Sequence, residues 1–289
     1  MQMPTFFNVD AYPGPNHSVN YIVAGQTNRY SWEGVASLSI KMFTRGGAEV
    51  RTRDARYRLE GDQYLVINPM TRYQVVVKSE IPSDGISIFF RPGFVQEVAR
   101  EQGLPVQPFE FFEHLFAGGL VTERLTSIRA GLRAYGSDPL WVEEQTRFVM
   151  RDVLRDHVAQ LEMAANVPAL RQSTKEDLYR RLLLAQDYAH SCYSDQVTLA
   201  DLARVACLSP SYFLRAYRTV FGETPHQTLV RRRLERAQDL LRGTRLSVQE
   251  VCRQVGFVSL GSFSWLFRNR VGVPPQEYRR MKAVVKAPA

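Results

Sequence analysis

Two clusters of side chains in the last third of the chain have the residue types needed to contact the base edges of duplex DNA. Arginine donates two hydrogen bonds to guanine, hydroxyl groups pair with several bases, and apolar groups contact thymine methyls. Each cluster occupies the face of a predicted helix opposite its apolar stripe, near the helix N-terminus. The predicted DNA-contacting residues are Ser211, Tyr212, Leu214, Arg215 and Arg218 in the first cluster, and Gly261, Ser262, Ser264, Trp265 and Arg268 in the second.

The two clusters belong to an internal repeat. Residues 198–222 and 247–272 each predict a short helix, a turn and a second helix, and the offset changes from 49 to 50 residues at the turn. A single insertion in the second turn explains that change. The buried stripes follow the i, i+3, i+4, i+7 pattern: Leu199, Leu202, Ala203 and Ala206 with Phe213, Ala216, Tyr217 and Phe221, then Val248, Val251, Cys252 and Val255 with Phe263, Leu266, Phe267 and Val271.

Helix start and stop signals frame both repeats. Thr198 and Ser247 precede the first helices, and Ser247 with Glu250 three residues later fits a capping box. Ser209 followed by Pro210 predicts an N-cap with proline in the first helical position. Gly222 and Gly272 predict where the second helices end.

A third helix is predicted between the repeats, over residues 224–243, with one apolar face. At 1.5 Å per residue it spans about 27 Å, somewhat less than the ~34 Å turn of B-DNA. With some DNA bending, such a helix would let its two flanking units reach adjacent major grooves. Four arginines lie around the middle of this helix and are predicted to contact either phosphates or other parts of the protein, not bases: Arg231, Arg232, Arg233 and Arg236.

Residues 174–282 resemble the DNA-binding domain of the AraC/XylS family of bacterial transcription regulators. The resemblance rests on correctly spaced motifs over about 108 residues: LSPSYF at 208–213, FG at 221–222, RLERAQDLL at 233–241, GF at 256–257 and GVPPQEYRR at 272–280. It implies base contacts from Ser211, Leu214, Arg215, Gly261, Ser262, Ser264 and Trp265.

The chain departs from the family pattern at two positions outside these motifs. Trp265 stands where the family usually has an arginine, and an indole, with its single donor, cannot make a bidentate guanine contact. Cys207 stands where a turn glycine is common. Because of Trp265, the second helix-turn-helix is expected to contribute mostly contacts to the DNA backbone and to its shape.

The distribution of charge agrees with a division into two domains. The net charge of +8 over 289 residues hides 17 Lys and Arg against 19 Asp and Glu in residues 1–170, and 20 against 10 in residues 171–289. A basic half of this kind favours a polyanionic partner, although a solvated basic surface is the alternative. The predicted boundaries are 1–165 for an N-terminal domain, 166–173 for a linker, 174–282 for the DNA-binding domain and 283–289 for a tail.

The first domain reads as strands followed by helices. Strands are predicted at 35–43, 48–59, 62–69, 72–79 and 84–90, with turn residues including Ser83-Asp84-Gly85. Helices are predicted at 94–103, 120–136 and 139–163. This order resembles the cupin-like sensing and dimerisation domain that precedes the DNA-binding unit in the same family. The predicted fold is thus a cupin-like β-barrel with helices, then an all-α domain of two helix-turn-helix units joined by a linker helix.

Few residues of the first domain suggest chemistry. Its histidines, His17, His114 and His157, lie outside the predicted strands and form no H-x-H motif, so we expect no metal, no cofactor and no enzyme activity. No ligand-binding residue is assigned, because one residue of register error inverts a strand's faces. Possible cavity-lining residues are Trp32, Arg45, Arg51, Tyr64, Asn68 and Tyr73. On the long helix, five residues predict either a dimer seam or a cover for the barrel: Leu140, Trp141, Phe148, Val149 and Leu154.

The sequence thus favours a DNA-binding transcription regulator. The resemblance implies an activator, because activation is the commoner behaviour in that family. A small molecule or dimerisation through the first domain would modulate its contact with DNA or RNA polymerase. The expected partners are double-stranded DNA, a small-molecule effector and a second copy of the chain. The alternatives are a cupin-type enzyme that also binds DNA and a regulator that senses no ligand. With three scattered cysteines and neither a secretory signal nor an 18-residue apolar run, a bacterial cytoplasmic location, at the nucleoid when bound, is expected.

Overall fold

The structure, a computed structural model, describes residues 5–105, 109–136, 138–167, 169 and 171–284. The chain forms two compact units, residues 1–183 and 184–289. The domain boundaries expected from sequence remain predictions, and residues 168 and 170 of the expected linker and 285–289 of the expected tail lie outside the described residues. None of the helices in the described ranges is long and apolar enough to cross a bilayer.

The first unit contains an antiparallel sheet of eight strands. The strands are β1 (Thr5–Phe7), β2 (Tyr21–Val35), β3 (Ser39–Arg45), β4 (Gly47–Arg51), β5 (Arg56–Glu60), β6 (Gln63–Ile67), β7 (Arg72–Phe89) and β8 (Leu115–Ala117). The sheet follows the order β1-β2-β7-β3-β6-β8, and β4 pairs with both β7 and β5. The long strand β7 contributes to both sides of the barrel, because it pairs with β2 along its length, with β4 in its first half and with β3 in its second half.

The barrel differs from expectation around Ser83-Asp84-Gly85. These residues do not form a turn between two strands; they lie inside β7, where the pairing with β2 shifts register at a bulge. The Ser83 side chain bonds both backbone groups of Gly47, at 3.1 and 3.0 Å, and replaces ladder bonds lost at the bulge. The predicted strand 48–59 is a hairpin of two strands, and β1, β2 and β8 were not predicted.

Three helices cover one side of the sheet. Val149 and Leu154 are fully buried among residues of the sheet and helices, whereas Leu140 is 80% exposed. The long helix therefore serves as a cover, and the predicted cupin-like barrel followed by helices is confirmed. Asp138 caps this helix by accepting a hydrogen bond from Leu140 N at 2.9 Å. The helices are α1 (Phe94–Glu101), α2 (Gly119–Tyr135) and α3 (Pro139–Ala165).

The second unit is all helical and confirms the double helix-turn-helix. Capping boxes at Thr198 and Ser247 start the first helix of each repeat, and a third at Thr224 starts the helix between them. Ser209 occupies the N-cap position without a side-chain capping bond, whereas Ser259 does cap its helix. The helices are α4 (Gln172–Ser191), which begins in the first unit, α5 (Leu199–Val205), α6 (Pro210–Phe221), α7 (Pro225–Gly243), α8 (Val248–Gln254), α9 (Leu260–Val271) and α10 (Pro275–Val284).

The turns of the two repeats have the same geometry but different residues. Helices α5 and α8 each end in a Schellman motif, with bonds from Leu208 N to Ala203 O at 2.9 Å and from Phe257 N to Cys252 O at 3.0 Å. The left-handed position of this motif is Cys207 in one repeat, with φ 52°, and Gly256 in the other, with φ 86°. A side chain at this φ is strained, so the first repeat carries a strain that the second avoids.

We expect Cys207→Gly to stabilise the protein by about 0.5–1 kcal/mol, because it relieves the left-handed strain while adding some backbone freedom to the unfolded chain. The matched change Gly256→Ala should destabilise by more than this, since a Cβ there would lie 2.7 Å from the carbonyl oxygens of Tyr193 and Ser194. Thermal unfolding of the full chain measures both. A lower melting temperature for Cys207→Gly would contradict the argument.

Candidate nucleic-acid interface

Helix α6 is held in a fixed rotation by its inward face. Phe213, Ala216 and Tyr217 are at most 1% exposed. The Tyr217 hydroxyl bonds the hydroxyl of Thr228 on α7 at 2.9 Å and the amide of Gln186 on α4 at 3.3 Å. Burial raises the pKa of Tyr217 to about 12, so the hydroxyl keeps its proton. These contacts fix which side of α6 points outward.

The outward face of α6 carries the residues predicted to read DNA. Ser211, Arg215 and Arg218 are exposed, while Tyr212 and Leu214 are half-buried beside them. In the part of the chain that the structure describes, the guanidinium groups of Arg215 and Arg218 form no ion pair and no hydrogen bond. Both guanidinium groups are therefore available to an external acceptor such as a guanine edge or a phosphate.

Helix α9 repeats this arrangement with a different surface. Phe263 and Phe267 are fully buried, and the Phe267 ring meets Tyr278 of α10 edge-on at 5.5 Å. The predicted contact residues Gly261, Ser262, Trp265 and Arg268 are exposed, and Ser264 is half-buried.

Three exposed apolar residues lie near the N-terminus of α9, and only one of them was predicted from the sequence as a contact residue. Trp265 is 65% exposed, and Val258 and Leu260, which were not predicted as contacts, are exposed as well. Exposed apolar side chains that lie together are typical of surfaces that meet a partner. The signal was present in the sequence, since Val258 and Leu260 fall outside the buried stripe.

Two of the four α7 arginines considered in the sequence analysis, Arg232 and Arg233, serve the fold. Arg233 is 9% exposed; its Nε donates to Tyr193 O at 2.7 Å and its Nη2 to Asp195 O at 2.8 Å. Arg232 is equally buried, with its guanidinium 5.7 Å from the Tyr193 ring. These two are internal contacts and not phosphate clamps.

The other two arginines lie nearer the surface. The exposed Arg231 is bound by Glu223 and Glu235, and the half-buried Arg236 lies 4.0 Å from Asp239. These two α7 arginines therefore already pair with carboxylates, whereas Arg215 and Arg218 on α6 have no such partner among the described residues.

A family comparison agrees with this geometry. The model of the helix-turn-helix domain family matches residues 202–281. The probable transcriptional regulator LumQ of Photobacterium leiognathi is 32% identical over 98 residues, which cover 34% of this chain and 40% of that protein. The HTH-type transcriptional regulator AlkR of Acinetobacter baylyi is 29% identical over 130 residues, 45% of this chain and 40% of that protein.

A solved structure matches about a third of the chain. The DNA-binding domain of AdpA, in complex with a target DNA, is 30% identical; the match covers 37% of this chain and 96% of that domain, with a TM-score of 0.36. The C-terminal part of this chain is an AraC-type helix-turn-helix domain. The chain spans only 40% of the length of each of the two curated relatives.

Outside the AraC-type domain, the residues suggested as cavity-lining divide into two groups. Trp32 and Tyr73 do line a cavity in the barrel. Tyr64 instead faces the helices, where its hydroxyl bonds Asp156, and Asn68 bonds the backbone of Phe111. Arg45 is exposed at the end of β3, and Arg51 borders a separate depression on the sheet.

The three histidines of the first unit have separate surroundings. His17 bonds Val19 O and Ser37 Oγ, both at 2.6 Å, while His157 packs among phenylalanines that include Phe111. Burial lowers the pKa of both. Within the described ranges, no group of three or more His, Cys, Asp or Glu is placed to hold a metal ion.

We expect Arg233→Met to destabilise the AraC-type domain by about 2–4 kcal/mol, because it leaves two backbone carbonyls without their charged donor. Arg231→Met is the matched control. It removes only partly exposed ion pairs, so it should cost no more than about 1 kcal/mol. Urea unfolding of the full chain, monitored by circular dichroism, compares them. Equal costs for the two variants would refute the structural role of Arg233.

Proposed function

We propose that this protein is a sequence-specific DNA-binding transcription regulator whose two recognition helices, α6 and α9, enter adjacent major grooves. The observation that carries the proposal is the pair of outward faces on an AraC-type domain, with arginines on α6 that pair with no carboxylate among the described residues. The net charge of +10 in residues 171–289 favours approach to a polyanion and supports the same function.

The two helices read DNA by different chemistry in this proposal. Helix α6 offers hydroxyl and guanidinium donors, and Arg215 makes the bidentate contact to guanine. Helix α9 offers the indole of Trp265 together with Val258 and Leu260, which suit thymine methyls and sugar surfaces. In this proposal, α6 discriminates among base pairs mainly by hydrogen bonds, and α9 recognises mainly the shape of the DNA.

The first unit supplies the signal in this proposal. Its barrel contains a cavity of about 410 Å³ lined mostly by apolar side chains, which is in the range of small-molecule sites. An effector bound there would shift the population of conformers, or of dimers, that differ in DNA affinity or in contact with RNA polymerase. Activation of transcription and dimerisation through the first unit complete the proposed mechanism.

Selection of binding sites from random duplex DNA by the full chain tests the central claim. We expect one enriched motif, with bases spread over two adjacent grooves. The logarithm of affinity should fall linearly with the logarithm of salt concentration, by about 0.9 for each phosphate contact. Failure to enrich any sequence over competitor DNA at any salt concentration would refute the proposed function.

We expect Arg215→Ala to weaken discrimination at one or two base pairs by about 1–3 kcal/mol, because the bidentate guanine contact is lost. Arg231→Ala is the matched control, since that arginine is exposed but already paired with two glutamates. Binding-site profiles of the two variants, measured at the same salt concentration, give the answer. A profile for Arg215→Ala that matches the wild type would exclude base reading by this residue.

A further inference from the structure

The barrel cavity is walled by alternate residues of three neighbouring strands. The pairing registers place Val23, Ser87 and Lys41 in one row across β2, β7 and β3. The next row holds Gly25, Gly85 and Phe43. The Phe43 ring lies against Gly85, where a Cβ would come within 2.8 Å of it, so the glycine makes room for the ring. The other halves of β2 and β7 complete the lining with Tyr30 and Trp32 from β2 and Tyr73, Val75 and Val77 from β7.

Among the described lining residues, Lys41 alone carries an ammonium group. Lys41 is 2% exposed, and its Nζ lies 4.5 Å from the centre of the Tyr73 ring and 4.6 Å from that of Phe89. Its hydrogen bond is to Ser39 Oγ, at 3.2 Å. No carboxylate in the described ranges pairs with it. Burial alone lowers the pKa of Lys41 to about 7.

A buried lysine without a carboxylate is costly, because the charged form loses its hydration and gains little in return. Two aromatic rings give partial compensation through cation–π contacts, but these have no net charge. The fold thus retains a cationic group that an apolar residue would replace with a gain in stability. Such a cost is typical of a group kept for binding.

A second buried polar group, the hydroxyl of Tyr21, lies near the same rings. Tyr21 is fully buried, its ring stacks on Phe89 at 4.7 Å, and its hydroxyl has no hydrogen-bond partner among the described residues. The titratable groups that line the cavity are Lys41 and the phenols of Tyr12, Tyr30 and Tyr73. The lining offers donors and one cation, with no acidic side chain in its described part.

We propose that this cavity binds a small organic acid, with one carboxylate on a compact apolar body, and that the carboxylate pairs with Lys41. The inference rests on the proposed function and specifies its effector class. The aromatic wall suits a ring or a short alkyl chain, and Lys41 with Ser39 and Ser87 forms the polar end. A single cation matches a monoanion, whereas a phosphate dianion would leave one charge unpaired.

The state of Lys41 makes binding dependent on pH. The group facing the ligand is half neutral near pH 7, and a carboxylate pairs with the protonated form. Binding therefore draws a proton from solution at and above neutral pH, and affinity falls by up to about tenfold for each pH unit above 7. The tyrosines around Lys41 do not contribute, because burial raises the pKa of Tyr12, Tyr30 and Tyr73.

Matched acids and alcohols test the proposal on the full chain. The probes are octanoate with 1-octanol and 3-phenylpropanoate with 3-phenylpropan-1-ol, followed by thermal shift and titration calorimetry at pH 6.5 and 8.5. We expect at least one acid to stabilise the protein at least tenfold more potently than its alcohol, and more strongly at pH 6.5. Calorimetry in two buffers of different ionisation enthalpy should show proton uptake.

Two variants assign the effect to the buried ammonium. Lys41→Met should abolish the preference for acid over alcohol, and Lys78→Met, the same change at an exposed position of β7, should keep it. Lys41→Met should fold, because it removes a desolvated charge. Its gain in melting temperature over the wild type should be largest at pH 7 and below and shrink toward pH 10, where the wild-type lysine loses its proton in the unfolded state as well.

The outcomes separate this inference from the proposed function. If neither acid stabilises the protein more than its alcohol, or if Lys41→Met responds like the wild type, the acid site is refuted. Those results leave binding-site selection on DNA unaffected, since that assay requires no ligand. Conversely, an acid-specific shift in a protein that enriches no DNA sequence would keep the site and refute the regulator.

Discussion

The guanidinium of Arg233, bonded to the carbonyls of Tyr193 and Asp195, is the contact on which the geometry of the C-terminal unit depends. The turn that receives it follows α4, and the same turn lies against Gly256 of the second repeat, whose carbonyl accepts a bond from Gln196. The turn that follows α4 thus contacts both the central helix α7 and the turn between α8 and α9, which contains Gly256. The guanidinium also lies 5.6 Å from the Phe257 ring, so the second repeat packs against the same charge.

Around this junction, two copies of one local design present unlike surfaces. The capping boxes, the Schellman turns and the glycine at the end of each recognition helix recur in both repeats. The outward residues do not recur: free arginines dominate α6, and Trp265 dominates α9. The frame is set by backbone bonding and buried rings, which leave the exposed positions free to differ.

The helical unit was predictable because its signals are local. Caps, stripes and stop signals lie within a few residues of the elements they define, and they placed every predicted contact residue on or beside an outward face. The buried roles of Arg232 and Arg233 were not predictable, since they depend on a turn some 40 residues away in sequence.

The barrel was harder to read, because its pairing is non-local. Strand β7 continues through residues that usually favour turns, because β2 pairs along its length and the Ser83 hydroxyl bonds the backbone of Gly47 beside the bulge. Lys41 was missed for a related reason. A lysine in an alternating strand suggests the solvent face, yet β3 is buried on both faces, with Ile40 and Met42 toward the helices and Ser39 and Lys41 toward the cavity.

The separation of inward and outward faces on α6 and α9 has an evolutionary consequence. A substitution at Ser211, Arg215 or Trp265 changes what the surface offers without disturbing the buried rings of Phe213 or Phe263. If α6 and α9 read DNA as proposed, a few substitutions at exposed positions would change the preferred bases with no compensating change in the core. Because each helix-turn-helix repeat has its own buried stripe, one half of a bound sequence could diverge while the other half is conserved.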